Sequence, residues 1–175
     1  MLSNGGYDGL GSLRTQEMET AAEYFGFREH RVVDDANLQD GPDEAWDIDI
    51  IHDYIQDYAQ QHKIDTIVTF DDGGVSYHPN HISVYKGAMK YFEMAEVGKR
   101  VNLMTLYTVH PIRKYLAFLD IYSSRNDHVN FYNYSPFEAV YAMSLHSSQF
   151  VWYRKLFMWF ARYPYYNSFI YFPKF

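Results

Sequence analysis

An α/β fold, Rossmann-like, with a mainly parallel sheet and helices on both faces, is the fold class this sequence predicts. Two observations carry it. Short β-branched runs alternate with stretches whose apolar residues recur at three and four positions, and polar or Gly-containing loops fall where the strands would end. The length, 175 residues, is one domain's worth, so the sequence reads as a single unit over 1–175.

The elements follow in order. Gly11 to Tyr24 is rich in helix formers, with Leu13, Met18, Ala21 and Phe25 available to one side and Gly26 as the stop signal. His30 to Val33 is a short apolar run, read as the end of a strand, leading into an Asp-rich loop over 34–44. From Trp46 to Gln61, Ile48, Ile51, Ile55 and Tyr58 mark an amphipathic helix, and Thr66 to Phe70 is a compact strand. A loop from Asp71 to Pro79 precedes a second amphipathic helix with Ile82, Tyr85, Met89 and Phe92 on one face. Val101 to Val109 reads as a strand, Ile112 to Tyr122 as a helix, Val129 to Tyr132 as a strand and Pro136 to Arg162 as mostly helix.

Composition narrows the function classes. Lys plus Arg is 15 against 22 Asp plus Glu, a net charge of −7, the opposite of the basic footprint that nucleic acid requires, so no nucleic-acid partner is expected. There is no cysteine, hence no disulfide, no thiolate nucleophile and no sulfur-ligated zinc; a metal would be held by His and carboxylate. No basic region followed by an apolar stretch opens the chain, so these residues are expected to hold neither a signal peptide nor a transmembrane anchor. Aromatic content is 19%, with 18 Tyr and 13 Phe. From Phe150 to Phe175 aromatics alternate with Arg154, Lys155, Arg162 and Lys174. This segment reads either as lying at a membrane interface or as a buried C-terminal helix with an aromatic edge on the core.

In open α/β sheets ligands bind beyond the carboxyl ends of the strands. Three segments qualify: Ser3 to Gly11, Asp34 to Asp43 and Asp71 to His81. The last is chemically the richest, with Asp71-Asp72-Gly73-Gly74 followed by His78-Pro79-Asn80-His81 at a helix start. Two His three residues apart project from one side of a helix, where one metal, or a metal and its substrate, meets both.

The stretch Val68-Thr-Phe-Asp-Asp-Gly-Gly-Val-Ser-Tyr-His-Pro-Asn-His81 resembles the second signature of the PIG-L (LmbE-like) de-N-acetylase family. Further blocks keep the family's order: Ser3-Asn4-Gly5, Gly9-Leu10-Gly11 and Arg14-x-x-Glu17, then Arg113-Lys114-Tyr115, then His146-x-Ser-Gln149 and Trp152-x-Arg-Lys155. The resemblance implies zinc-dependent hydrolysis of the N-acetyl group of N-acetylglucosaminyl-phosphatidylinositol, the second step of glycosylphosphatidylinositol-anchor biosynthesis, at the cytoplasmic face of the endoplasmic reticulum membrane. It implies His81 as a zinc ligand, His78 as the catalytic acid or oxyanion-stabilising group, and Arg14 and Asp40 as substrate-binding residues. Read from the residues alone, Arg14 and Glu17 are equally a helix pair three apart, and Asp40-Gly41 is turn chemistry. His146 and Gln149 match a block without a chemical step.

The family's other zinc ligands and its base come from a His-Pro-Asp-Asp-Glu signature, which does not occur in these residues. The resemblance therefore implies a PIG-L-type domain incomplete at its N-terminus. It would lack the first strands and the usual anchor, Leu2 to Gly5 would be the tail of a strand, and a hydrophobic sheet edge would be open. The chain on its own is expected to be inactive. Tyr77 stands where the family more often has Gly and is expected to narrow the pocket. A different class of function is a non-catalytic family member that binds a partner or a lipid-linked glycan at the same membrane.

Overall fold

The structure, a computed structural model, describes residues 1–95, 101–123 and 128–174, and these form two compact units. One comprises residues 1–41, 110–123 and 131–167; the other comprises 42–109, 128–130 and 168–174.

In the second unit, helix α2 (Ile48–His62) is opened by Asp47, whose side chain accepts from Asp49 N, and closed by Lys63 in the left-handed region. Strand β1 (Thr66–Phe70) follows as the sequence predicts, and β2 (Asn102–Leu106) pairs with it in parallel, Thr66 opposite Asn102 through Phe70 opposite Leu106. Helix α4 (Pro79–Met94) packs on α2 and on both strands. Its closest face differs from the apolar stripe of the sequence: the buried residues are Asn80, Ser83, Gly87, Ala88 and Tyr91. The reason is approach distance, since a Cβ at Gly87 would lie 2.4 Å from Ile51 Cγ2. Ala59, Tyr91 and Val101 form one buried cluster, with Ile55, Ile64 and Ile67 packed against them.

The last strand, β4 (Tyr166–Phe172), is antiparallel to β2, with Leu103 opposite Phe172. This is where the fold departs from the sequence reading. The sheet is mixed, in the order β1-β2-β4-β3, with β3 at Val129–Tyr132. Neither reading of the segment from Phe150 onward contains that strand, and Phe175 lies outside the described residues. Lys174 does not face solvent either: its Nζ donates to the carbonyls of Phe92, Glu93 and Ala95 at the end of α4, where the helix dipole favours a cation. At the other side of the sheet β1 is an edge strand, and Val68 is 60% exposed.

In the first unit, α1 (Gly11–Tyr24) has the predicted bounds, and Gly26 adopts the left-handed conformation expected of a helix stop. Residues 30–33 form no strand; Val33 N donates to Met1 O at 2.9 Å and the Met1 amine donates to Arg31 O at 2.5 Å, without a ladder. Leu2 to Gly5 is likewise irregular. The expected helix from Ile112 to Tyr122 is broken. Helix α5 is a single turn (Pro111–Lys114), Ala117 has φ 47°, and a 3₁₀ segment (Ala117–Ser123) continues. The mostly helical stretch expected from Pro136 to Arg162 consists of two helices, α6 (Pro136–Ser144) and α7 (Trp152–Phe160). Between them, Ser147–Gln149 makes a 3₁₀ turn.

The interior of this unit is ionic at one point. Asp120, fully buried, accepts from Arg113 Nε at 2.8 Å and Nη2 at 3.2 Å, and also from Arg162 Nη1. Arg162 is itself buried and lies 4.1 Å over the Tyr166 ring, so it does not serve as a surface cation. Among the described residues no helix is long and apolar enough to cross a membrane.

Candidate functional site

The first candidate cluster lies just beyond β1, in the second unit. Asp71 is buried and its carboxylate accepts from Gly73 N at 3.1 Å, from Thr108 N at 2.5 Å and from the Thr108 hydroxyl. Thr108 Oγ1 in turn accepts from Val75 N at 2.8 Å. The loop after β1 is thereby tied to the residues after β2. Glycine is needed at 73, because any Cβ there would meet Thr108 at 2.8 Å. Both oxygens of the Asp71 carboxylate are thus engaged in this scaffold.

A short distorted turn, α3 (Gly74–Tyr77), then delivers the two histidines. Val75 has φ 65° and Tyr77 φ 60°, left-handed conformations that cost side-chain-bearing residues about 1 kcal/mol or more each. At position 77 this is the physical reason for a glycine preference. The Tyr77 side chain is 65% exposed.

The two imidazoles lie 5.1 Å apart, ring centre to ring centre. His81 stacks on Phe70 at 4.1 Å, and its Nδ1 is 2.9 Å from the carbonyl of Gly74. A carbonyl only accepts, so Nδ1 carries the proton and the lone pair of the neutral ring is on Nε2, which is how a metal-binding His is oriented by a second group. His78 is the reverse. It is the N-cap of α4, and its Nδ1 accepts from Asn80 N at 3.3 Å, which leaves the proton of the neutral ring on Nε2. One ring thus presents an Nε2 lone pair and the other an Nε2–H. As a metal site the set is partial: His81 has the right tautomer, but among the described residues no group of three His, Asp or Glu side chains clusters to hold an ion.

The second cluster belongs to the first unit and brings together the other two predicted residues. Arg14, on α1, donates to Gly5 O and to Asp8 Oδ2 at 2.9 Å, and Asp40 Oδ2 lies 4.0 Å from its Nη1. Beside it the Asn4 side chain fills the space that Cβ atoms at Gly6 and Gly11 would occupy, at 2.7 and 2.9 Å. Asn4 Oδ1 and Arg14 Nε are both buried without a hydrogen-bond partner. Guanidinium, amide and carboxylates side by side form a donor and acceptor set suited to a polyhydroxylated ligand.

Arg14 and Glu17 do not form the helix pair that their spacing allows. Glu17 turns the other way, is buried, and accepts from Ser147 Oγ at 2.8 Å, Ser148 N at 2.7 Å and Ser148 Oγ at 2.7 Å. His146 and Gln149 carry no chemical step in the sequence reading; between them, Ser147 and Ser148 hold α1 through Glu17. Nothing local marks such a pairing across 130 residues. Burial by itself would raise the Glu17 carboxyl, but the three serine bonds together hold it below its ordinary range. Since the folded value is depressed, the stabilisation is present above the unfolded pKa and lost as pH falls through the folded one. Acid titration of melting temperature should therefore show a steeper decline for the native chain than for Glu17→Gln. Parallel curves for the two would remove this role.

Comparison with known proteins decides the family. The model described as PIG-L, GlcNAc-PI de-N-acetylase, matches residues 1–92. The chain belongs to the PIG-L family. The matched stretch contains Arg14, Asp40, His78 and His81, so both clusters lie within it. A Bos taurus N-acetylglucosaminyl-phosphatidylinositol de-N-acetylase is 32% identical over 95% of this chain and 68% of its own length. Proteins of Schizosaccharomyces pombe and Dictyostelium discoideum, both named as probable enzymes of that kind, are 40% identical over 68% and 29% identical over 97% of the chain. This PIG-L chain spans 48% of the length of the S. pombe protein and 79% of that of D. discoideum. No solved structure matches it.

Proposed function

We propose that this chain serves N-acetylglucosaminyl-phosphatidylinositol de-N-acetylation, with zinc, in glycosylphosphatidylinositol-anchor synthesis at the cytoplasmic face of the endoplasmic reticulum membrane. The observation that carries the chemistry is the pair of opposite tautomers at His78 and His81. When bound at His81, a divalent metal supplies a water of lowered pKa and polarises the amide carbonyl. The Nε2–H of His78 is the donor that meets charge developing on the carbonyl oxygen, or that protonates the amine as the C–N bond breaks and acetate is released. The Asp71 and Thr108 side chains tie down the loop that leads to both rings, which favours a preorganised site.

The relatives' names support the substrate class. The fungal, bovine and Dictyostelium proteins carry N-acetylglucosaminyl-phosphatidylinositol in theirs. A Salinispora arenicola relative, 28% identical over 63% of the chain, is named a 1D-myo-inositol 2-acetamido-2-deoxy-alpha-D-glucopyranoside deacetylase. Common to both names is an acetylated glucosamine on inositol, with and without lipid. Arg14 and Asp40 are assigned to that glycan, the guanidinium donating and the carboxylate accepting.

The 175 residues alone are proposed to bind zinc weakly and to be inactive, because a catalytic zinc takes three protein ligands and Asp71 is already engaged. Acetate release from N-acetylglucosaminyl-phosphatidylinositol and equilibrium dialysis against zinc test this, on the chain as it is and on the chain joined to a relative's His-Pro-Asp-Asp-Glu segment. Activity and tight zinc only in the joined protein are expected. Tight stoichiometric zinc with turnover in the chain itself would overturn the ligand assignment. Glycan binding without turnover in the joined protein would make it a non-catalytic binder.

A further inference from the structure

The first unit has an apolar surface that neither candidate cluster uses. On α7, Trp152 is 72% exposed, and Tyr153, Leu156, Trp159 and Phe160 are exposed with it. On and after α5 the same holds for Ile112, Tyr115, Leu116, Phe118 and Leu119. A soluble surface rarely leaves so many large apolar side chains together in water without a ligand for them. Among them opens a pocket of about 600 Å³ whose walls include Tyr115, Met143, Leu156, Phe157 and Phe160, with Lys114 and Arg154 as its cations.

The charge around this surface is one-sided. No acidic residue follows Glu138 in the sequence, although the whole chain carries −7. Arg154 Nη1 donates to the Gln149 carbonyl and side-chain oxygen, Lys155 lies 4.9 Å over the Phe150 ring, and Lys114 lies 5.3 Å over that of Phe157. Among the described residues no carboxylate forms an ion pair with these three cations. Burial lowers the Lys114 ammonium from its ordinary range, which an arriving anion would reverse.

Apolar depth, aromatic rings around it and uncompensated cations match one occupant, a bilayer carrying anionic lipid: hydrocarbon for the pocket, headgroup level for Trp and Tyr, phosphate for Lys and Arg. A second copy fits poorly, because a two-fold contact would set this patch's cations against themselves with no carboxylate between. We propose that α5 and α7 form a membrane-docking face, with the pocket receiving an acyl chain and Lys114, Arg154 and Lys155 receiving lipid phosphate. This face goes beyond the deacetylation reading, and its test involves no turnover.

Flotation with vesicles of phosphatidylcholine, with and without a minor fraction of phosphatidylinositol, gives the first readout; aggregated protein stays at the bottom and scores as unbound. The chain is expected to float with the anionic vesicles, less so as salt is raised. Arg154→Gln with Lys155→Gln should weaken binding roughly 30-fold, about fivefold per cation removed. Trp152→Ser, at a position that carries no core packing, should weaken it independently. In a Trp46→Phe background, vesicles with brominated acyl chains should quench Trp152 and Trp159. Failure to float, or flotation without quenching and without loss in the charge variant, would overturn the proposal. So would a stable dimer that shields Trp152 from aqueous quencher.

Discussion

Asp120→Ala should cost about 3–5 kcal/mol, a large share of the 5–15 kcal/mol that holds a domain of this size together. Asp120 is the carboxylate between Arg113 and Arg162, and both it and Arg162 are buried. Desolvation already pulls the Arg162 guanidinium down from its ordinary range, and Asp120 is the chief opposing influence. Without the carboxylate a buried cation is left uncompensated, and that penalty, rather than a lost surface bond, sets the magnitude. Thermal melting should fall by roughly 6–20 °C, from about 2–4 °C per kcal/mol. Replacing the buried pair together, Asp120→Leu with Arg162→Met, should recover most of the loss, because two apolar side chains carry no desolvation cost and Arg113, 30% exposed, can turn to water. A single mutant within about 1 kcal/mol of the native chain would show that the guanidinium finds water instead, and would refute the argument.

The consequence of that network extends to the proposed docking face. Arg162 N also donates to Lys114 O at 2.8 Å, so the ionic core fixes the turn from which Lys114 reaches the pocket. Asp120 was invisible to sequence reasoning because its partners lie seven residues before it and 42 after it, and no local pattern announces a buried charge. The same limit hid the bonds from Ser147 and Ser148 to Glu17. What was legible obeyed local rules: the Gly26 stop, the periodicity of α2 and the β-branched run of β1, each found within a few residues of its expected bounds.

Where local rules failed, a specific competing effect explains it. In β4, Tyr166-Asn-Ser-Phe-Ile-Tyr-Phe buries Tyr166 and Ser168, so its inward positions include a polar residue and the alternation is masked by aromatics on both faces. In α4 hydrophobicity selected the stripe of Ile82, Tyr85, Met89 and Phe92, whereas helix packing selected for smallness at Ser83, Gly87 and Ala88. For the candidate site, the sequence placed both histidines at a helix start. It could not supply their tautomers, because these are fixed by a carbonyl seven residues away and by a capping bond.

Those tautomers give the second large effect. In the chain joined to the His-Pro-Asp-Asp-Glu segment, His78→Ala should keep its zinc and lose about 10²–10³ in turnover, the loss seen when one preorganised oxyanion donor is removed. His81→Ala should lose the zinc itself, and turnover with it, because a three-ligand site rarely survives the loss of a ligand. Substitution by Gln and Asn separates position from charge. His78→Asn offers a short side-chain oxygen that can still cap α4 through Asn80 N, so helix stability should be retained while turnover remains low; a cap-only role for His78 would instead restore activity in this variant. For His81, the bond from Nδ1 to Gly74 O predicts that a ring nitrogen at the Nε2 position is what the metal needs. His81→Gln should then leave zinc weak even though the side chain is long enough to reach Gly74. Equal zinc content and equal activity in the two alanine variants would show that the rings share one role, and the opposite tautomers would then carry no catalytic meaning.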